Sequence, residues 1–184
     1  MKVFLETERL LLRQFTSADA ELLIELDSDP EVMRFLTDGK PTEAQLIRDD
    51  VLPRFLRYYQ AYENQGFWAV VEKASGEFLG WFHLRPGAPD SSQGLELGYR
   101  FKCSAWGKGY ATEGSRALLR VAFAMPEVKR VIAITMKPNV KSAHVMQKLG
   151  MRFERDFVET RFPGADKAAV QYAITRDEFQ KQGS

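Results

Sequence analysis

The turn at residues 106–111, WGKGYA, carries the strongest chemical signal in this chain. It follows an alternating, strand-like run at 95–101 and precedes an amphipathic helical pattern that begins at Tyr110. A strand that feeds a glycine turn and then a helix gathers unpaired backbone N–H groups and the positive end of the helix dipole around one point. A Cβ at Gly107 or Gly109 would obstruct the approach of a phosphate to the backbone. The pattern therefore predicts a site for a diphosphate.

Two common phosphate-binding motifs do not fit this turn. The nucleoside-triphosphate loop needs a lysine after its last glycine and a Ser or Thr next, but Lys108 lies between the two glycines. The dinucleotide fingerprint needs a third glycine where this chain has Thr112, and it belongs early in a parallel βαβ array. A third pattern, [Q/R]-x-x-G-x-[G/A], is met at Gly109 and Ala111, with Trp106 in place of Gln or Arg.

That third pattern resembles the acetyl-CoA pyrophosphate loop of the GNAT superfamily of N-acetyltransferases. Three segments are similar to its ribosomal-protein-alanine acetyltransferase (RimJ/RimL-type) branch: ETERLLLRQFTSADAELL, LELGYRF with WGKGYATEG, and a P-N-x-x-S…K-x-G-[FM] segment from Pro138 to Met151. The resemblance runs from about Thr7 to Phe179. Three segments in the right order are much more specific than the loop alone.

Composition sets limits on the class of protein. A chain of 184 residues favours one domain, and it can bury roughly 70% of its unfolded surface. The net charge of +1 supports neither a nucleic-acid partner nor a membrane surface. Cys103 is the single cysteine, so no intrachain disulfide can form and a reducing compartment fits. With no signal-peptide segment and no run of ~18 apolar residues, we expect a cytoplasmic single domain over residues 1–184, monomeric or homodimeric.

The pattern of predicted elements indicates an α/β (α+β) fold. Predicted strands lie at 8–15, 67–73, 78–85, 95–101, 130–136, 151–159 and 168–175. Predicted helices begin after Thr16 and lie at 30–36, 42–64 with a break at Pro53, 110–125 and 141–149, and 87–94 is a predicted loop. The order βα(α)βββαβαββ gives a mixed, mostly antiparallel central sheet of about seven strands flanked by helices. The helical crossover between 95–101 and 130–136 makes these two strands parallel neighbours.

The resemblance implies acetyl-CoA as co-substrate, with its pantetheine arm between those two strands as they splay apart. It implies that the Phe101 backbone bonds the pantetheine amides, and that Asn139 does so too, although Asn139 also suits a turn or helix cap. The pyrophosphate is expected on the backbone amides of Trp106, Gly107, Lys108, Gly109, Tyr110 and Ala111. No metal ligand is assigned. Six basic residues near the turn form either a positively charged entrance for an anionic cofactor, which we call the positive mouth, or an ordinary solvated surface. They are Arg100, Lys102, Lys108, Lys137, Lys141 and Lys148.

The candidates for proton transfer are fewer. Many enzymes of the resembled family use a Tyr at the position that matches Met146, so this chain needs another donor for the leaving thiolate. Ser142 shares a helical face with Val145, Met146 and Leu149, while His144 and Lys148 point away. We assign Ser142 as donor or thioester-orienting group, with a structural hydroxyl as the alternative. Glu96 is the first candidate base and His83 the second; a solvated carboxylate is the alternative for Glu96.

Of the regions of the predicted active site, the acceptor site is the one that the sequence determines least. Candidates to line it are Arg34, Phe35, Asp38, Tyr58, Tyr59, Tyr62, Trp81, His83 and Arg85, and candidates to attract a cationic acceptor are Glu154, Asp156 and Glu159. The resulting hypothesis is an N-acetyltransferase that acts on a primary amine, either a protein or peptide α-amine or a small molecule. The alternatives are an antibiotic- or polyamine-modifying acetyltransferase and a non-catalytic CoA-binding module.

Overall fold

A computed structural model describes residues 2–87, 94–164 and 166–182. Most of the predicted loop at 87–94 therefore lies outside the described residues. The described chain forms one eight-stranded sheet in the order β1-β2-β3-β4-β5-β6-β8-β7. Its strands are β1 Val3–Glu6, β2 Leu10–Gln14, β3 Gly66–Glu72, β4 Phe78–Pro86, β5 Gly94–Phe101, β6 Arg130–Met136, β7 Arg152–Val158 and β8 Ala168–Thr175.

The predicted mixed α/β fold is confirmed, and the strand beyond the expected seven is β1. All neighbouring strands are antiparallel except β5 and β6. These two are parallel, as the crossover helix between them requires. Their pairing runs only from Gly94 opposite Arg130 to Glu96 opposite Ile132, so the carboxyl halves of both strands diverge.

The helices divide between the two faces of the sheet. They are α1 Ala20–Ser28, α2 Pro30–Thr37, α3 Ala44–Leu46, α4 Leu52–Ala61, α5 Tyr110–Ala124, α6 Val140–Lys148 and α7 Arg176–Lys181. One core, beneath α5 and α6, includes Phe82, Leu97 and Leu118. The second core, beneath α1 and α4, includes Leu26 and Phe55. Each face of the sheet is therefore buried by its own set of helices.

The predicted helical break at Pro53 is present, whereas one short helix was not predicted. The predicted helix at 42–64 is interrupted before Pro53, where a π-type turn at Ile47–Val51 separates α3 from α4. A proline has no N–H to donate to the preceding turn, so the hydrogen-bond register changes there. The short helix α7 was not predicted; it begins at a capping box formed by Thr175 and Glu178.

The close approach of α5 to the sheet depends on one glycine. A Cβ on Gly114 would lie 2.3 Å from the ring of Phe82, which is fully buried. Helix α5 therefore lies directly on β4, and this contact fixes the height of its N-terminus above the end of β5. Within the described ranges, no helix is both long enough and apolar enough to span a membrane.

Candidate active site

A cleft opens where β5 and β6 diverge. Beyond their paired residues, Gly98–Phe101 on β5 and Ile134–Met136 on β6 line a cavity of about 910 Å³. This volume lies within the range of ligand-binding sites, about 300–1,000 Å³. The predicted splaying of the two strands is present, and the cavity continues to the glycine turn and the first residues of α6.

The glycine turn has the geometry of an anion cradle. Gly107 and Gly109 both have positive φ, +74° and +84°, a region that favours glycine, and nothing lies within 4 Å of a Cβ built on Gly107. Gly109 is the N-cap of α5, whose first turn offers unpaired N–H groups. Gly107, Gly109, Tyr110 and Ala111 line the cavity. An accessible turn at the N-terminus of a fifteen-residue helix fits the pyrophosphate of coenzyme A.

Arg9 holds this turn in place and was not identified from the sequence. Its Nη1 donates to the Lys108 carbonyl oxygen at 2.9 Å, and its Nε donates to Glu113 on α5 at 2.6 Å. Its guanidinium lies 4.6 Å from the centre of the Tyr110 ring. Lys108 itself does not belong to the cavity wall. The signal in the sequence was limited to the position of Arg9 within the first resembled segment.

Trp106 has a specific contact where the family pattern has Gln or Arg. Its indole Nε1 donates to the Phe101 carbonyl oxygen at 2.9 Å, and the ammonium of Lys141 lies 5.0 Å from its ring centre. A carbonyl oxygen has two lone pairs, so Phe101 retains one for another donor. The indole therefore links the glycine turn to the end of β5, and Lys141 links it to α6.

At the start of α6, Asn139 is the N-cap: its side-chain oxygen accepts from the Ser142 N–H at 3.3 Å. The cap uses only the oxygen of the amide, so the Asn139 NH₂ group is not needed for it. The Ser142 hydroxyl lies 3.0 Å from the Tyr99 hydroxyl, and all three residues line the cavity. Burial raises the pKa of Tyr99 to about 12, so the phenol is protonated at neutral pH. Tyr99 was not singled out in the sequence because it alternates in phase with Leu95 and Leu97.

The orientation of α6 partly corrects the helical-face prediction. Met146 is buried in the core and is absent from the cavity wall, whereas Val145 belongs to that wall together with Ser142. His144 and Lys148, which were expected to point away, also line the cavity. The wall formed by α6 is therefore wider than the face predicted from the apolar residues.

Glu96 lies at the base of the cleft and is 5% exposed, so the solvated alternative is wrong. Its carboxylate contacts Arg85 at 2.9 Å, Arg161 at 3.1 Å and His83 Nε2 at 3.4 Å. Burial alone raises the pKa of Glu96, but these contacts outweigh burial and hold the pKa well below its usual range. The carboxylate is therefore ionised and a weak base.

His83 lies beside Glu96 with no good hydrogen bond. Its ring packs on Gly98, where a Cβ would lie 2.4 Å from the imidazole. His83 is 8% exposed, and within the described chain neither ring nitrogen has a hydrogen-bond partner. Burial lowers the pKa of His83, although the neighbouring Glu96 opposes this shift. The imidazole is therefore neutral at pH 7, and it lines the cleft with both nitrogens buried and unpaired among the described residues.

The side of the cleft beyond His83 is closed by α2 and the β7–β8 connection. The Gly164 N–H donates to the Leu36 carbonyl oxygen at 2.9 Å and joins these two walls. Among the acceptor-site candidates, Arg34, Phe35, Trp81 and His83 line the cavity. The other candidates do not, and this corrects the prediction for Asp38, Tyr58, Tyr59, Tyr62 and Arg85.

The excluded residues have other contacts. Tyr59 donates to the Phe67 carbonyl oxygen and accepts from the Phe15 N–H, so it joins α4 to the sheet. Arg85 contributes only through its contact with Glu96. Arg161 was missed by the sequence analysis because nothing in its local pattern marks it.

Most of the predicted surface charges belong to other contacts. Glu154 pairs with Arg130, and Asp156 pairs with Lys137, both on the exposed edge strand β7. Glu159 is buried and pairs with Arg161 at 2.6 Å. Of the predicted positive mouth, the residues that line the cavity are Arg100, Lys141 and Lys148. The single cysteine is a poor nucleophile, since burial and Asp29 raise the pKa of Cys103 to about 11.

Comparison with known proteins agrees with this geometry. Residues 9–152 match the family model described as an acetyltransferase (GNAT) domain. The FsC-acetyl coenzyme A-N(2)-transacetylase of Aspergillus fumigatus is 35% identical over 185 residues, which cover 95% of this chain and 77% of that protein. A GNAT-family acetyltransferase from Bacillus anthracis is 26% identical, with a TM-score of 0.77, covering 95% of this chain and 99% of that one.

A more distant structure shows likeness in fold alone. The spermidine N-acetyltransferase from Vibrio cholerae, solved with CoA and spermine, is 16% identical, with a TM-score of 0.74, and the match covers 95% of this chain and 99% of that one. The family model covers most of the chain, and the splayed strands and glycine turn fit the co-substrate that this family uses. The chain therefore belongs to the GNAT family and is an acetyl-CoA-dependent acetyltransferase.

Proposed function

We propose that this enzyme acetylates primary amines and that its acceptor is the α-amine of a protein or peptide, as in the RimJ/RimL-type branch. The observation that carries the proposal is the state of His83: a buried, neutral imidazole with unpaired nitrogens, on the wall of the cleft. A base of this kind suits an amine of moderate pKa. Deprotonation at pH 7 costs ~1.4 kcal/mol for an α-amine of pKa ~8, but ~4.6 kcal/mol for a lysine of pKa ~10.4.

The donor is bound by groups on both walls of the cleft. Backbone amides of the glycine turn, residues 106–111, bind the pyrophosphate, and Arg9 restrains that turn through the Lys108 carbonyl. The pantetheine arm lies between the carboxyl halves of β5 and β6. There the Phe101 backbone and the Asn139 side chain bind its amides. This arrangement directs the thioester toward the base of the cleft, and most of the acceleration comes from such alignment.

Proton removal from the acceptor is assigned to His83. Glu96 was the first candidate base, but two guanidinium groups hold its pKa so low that it accepts a proton poorly. We assign Glu96 to charge balance: its carboxylate, 3.4 Å from His83 Nε2, stabilises the imidazolium that forms when the amine loses its proton. The pair then acts as one unit, with His83 as the base and Glu96 as its counter-ion.

Protonation of the leaving thiolate is assigned to Ser142 and Tyr99. The amine nitrogen attacks the thioester carbonyl carbon, the C–S bond breaks, and the sulfur leaves as a thiolate that takes up a proton. Ser142 donates this proton and takes a replacement from Tyr99, which is protonated at neutral pH and lies 3.0 Å from the Ser142 hydroxyl. The pair also stabilises negative charge as it develops on sulfur. His83 then releases the amine proton to solvent, and Tyr99 regains a proton from solvent before the next turnover.

A second candidate function is N-acetylation of a small molecule. It is favoured by the relative from Aspergillus fumigatus, which is named as an N(2)-transacetylase. Both candidates require the same donor site and the same chemistry, and they differ only in the molecule that carries the amine. The non-catalytic CoA-binding alternative has no support, since the family is one of acetyltransferases.

An acceptor panel that reports release of the CoA thiol tests the proposal. The panel contains peptides with free N-termini, the same peptides with blocked N-termini, free amino acids, aminoglycosides and polyamines. We expect the highest kcat/KM for peptides with a free α-amine and none for the blocked ones. Efficient acetylation of blocked peptides at lysine, or of polyamines alone, would refute the α-amine assignment.

A further inference from the structure

The acceptor side of the cleft has a definite chemical character. We use the term acceptor compartment for the space bounded by Val32, Phe35, Trp81, His83 and Phe162. Four of these five side chains are apolar, and the fifth is the imidazole of His83. The floor is the sheet face that carries Trp81 and His83, and the walls come from α2 and the β7–β8 connection.

Carboxylates in this compartment are few and already paired. Among the described residues that line the cavity, the acidic side chains are Glu31 and Glu96. The Glu96 side chain is 7% exposed and is bound by two guanidinium groups. The Glu31 side chain is 63% exposed and has Arg34 beside it at 3.7 Å. Neither offers a desolvated, unpaired carboxylate to a positively charged group on the acceptor.

An arginine also packs against the ring of each apolar aromatic residue of the compartment. Arg34 lies 5.4 Å from the centre of the Phe35 ring, and Arg161 lies 5.9 Å from that of Phe162. A third guanidinium covers the indole of the floor: Arg100 is 5.1 Å from the Trp81 ring centre and pairs with Asp27. An ammonium group that sought an aromatic face would therefore meet a guanidinium of the same sign.

We infer that the acceptor is a monoamine with an apolar group next to the amine, and that a second ammonium near the reacting one is rejected. The inference rests on the proposed transfer to an amine and specifies its substrate class. A second cation would be desolvated among arginines without a counter-ion, which is strongly unfavourable. An apolar side chain would instead pack on Phe35, Trp81 and Phe162. For a peptide acceptor, the first residue is therefore aliphatic or aromatic rather than basic.

Three dipeptide amides test this inference: norleucyl-, lysyl- and arginyl-glycinamide. Norleucine has the four-carbon chain of lysine without the ammonium, and the arginine side chain carries a charge that cannot be acetylated. The measurement is kcat/KM from CoA thiol release, with the acetylated nitrogen located by mass spectrometry. We expect the norleucyl peptide to exceed both cationic peptides by about a hundredfold or more.

Reversal of one charge at the acceptor compartment tests whether the arginines cause the rejection of a second ammonium. Arg34→Glu should reduce the ratio of norleucyl to lysyl kcat/KM by about tenfold or more, because it supplies a carboxylate, and should leave the KM for acetyl-CoA unchanged. The matched control is Arg57→Glu, on the exposed side of α4 and away from the cavity, which should leave the ratio unchanged.

The outcomes separate this inference from the proposed function. Equal rates for norleucyl and lysyl peptides, or a ratio that Arg34→Glu does not change, would overturn the inference while the acetyl transfer to an α-amine stands. If acetyl-CoA binds but none of the peptides or the other amines of the panel releases thiol, the proposed function fails and the inference fails with it.

Discussion

At the residue scale, the site separates into two pairs of polar groups on opposite faces of β5. Glu96 lies on the face toward α2 with His83, and Tyr99 lies on the face toward α6 with Ser142. Because side chains alternate along a strand, β5 places Glu96 beside His83 of β4 on one face and Tyr99 beside Ser142 of α6 on the other. The thioester between β5 and β6 would thus meet the base from one face and the acid from the other.

Removal of either hydroxyl should reduce turnover more than donor binding. Ser142→Ala and Tyr99→Phe should each lower kcat by about tenfold to a hundredfold, with the KM for acetyl-CoA within about twofold of the wild type, because they act on charge that develops at sulfur. The double variant should cost little more than the worse single variant, since the two groups act as one. Steady-state kinetics measure this, and full activity in both single variants would show that the pair is structural. Met146→Leu is the control for altered packing in α6.

The dependence of activity on pH follows from the two groups that exchange the proton. Burial lowers the pKa of His83 below its ordinary value, so its protonation limits the rate only in acid. The proposed acceptor, an α-amine of pKa ~8, loses its proton as the pH rises. We expect kcat/KM to rise through neutrality and level off near pH ~8, with His83→Gln lowering it at every pH. A plateau already reached well below pH ~7 would point to an acceptor amine of much lower pKa.

At the scale of elements, the glycine turn depends on contacts that are distant in the sequence. The turn and the first turn of α5 are joined to the N-terminal segment by Arg9, which contacts the Lys108 carbonyl and Glu113. Local sequence predicted the turn, its glycines and the helix that follows, because these are encoded by adjacent residues. It could not predict Arg9, since that contact spans 99 positions.

Substitution at the turn should weaken donor binding and leave the fold intact. Gly109→Val places a β-branched residue at a φ of +84° and should weaken acetyl-CoA binding more than about tenfold, because the loop must change conformation. Arg9→Ala should weaken it less, by a few-fold, through loss of restraint. Calorimetric titration gives both affinities, and circular dichroism checks the fold. An unchanged affinity for Gly109→Val would exclude the turn as the pyrophosphate site.

At the scale of the whole molecule, the Glu96 cluster joins distant parts of the chain. Arg85 comes from β4, Glu96 from β5, and Arg161 from the β7–β8 connection, which Arg161 also binds through buried Glu159. The alternating pattern around Glu96 predicted which face it occupies. It could not predict burial or the two arginines, because a residue 65 positions away forms one of the contacts. The strand β1 was also missed, since it is four residues long and only half-buried.

Loss of the Glu96 charge should therefore affect stability as well as catalysis. Glu96→Gln leaves Arg85 and Arg161 near a neutral group, and we expect the free energy of unfolding to fall by about 2–4 kcal/mol. For the wild type, the folded pKa of Glu96 lies below its unfolded value of ~4.3, so its contribution is present above that pH and is lost as the pH falls further. Urea unfolding at pH 7 and at pH 4 measures both effects. Equal stability of the two proteins at pH 7 would contradict the prediction.

The short pairing of β5 with β6 has a further consequence for the dynamics of the free enzyme. Among the described residues, three residue pairs in the sheet join strands β1–β5 to the unit formed by β6, β8 and β7. Backbone amides that face the cleft on both strands have no partner strand, so they should exchange with solvent hydrogen quickly until the pantetheine arm lies between them. In the proposed complex, the amides of the pantetheine arm would form hydrogen bonds with both strands. Hydrogen–deuterium exchange should slow first at Gly98–Phe101 and Ile134–Met136, and less so in the distant β1–β2 hairpin.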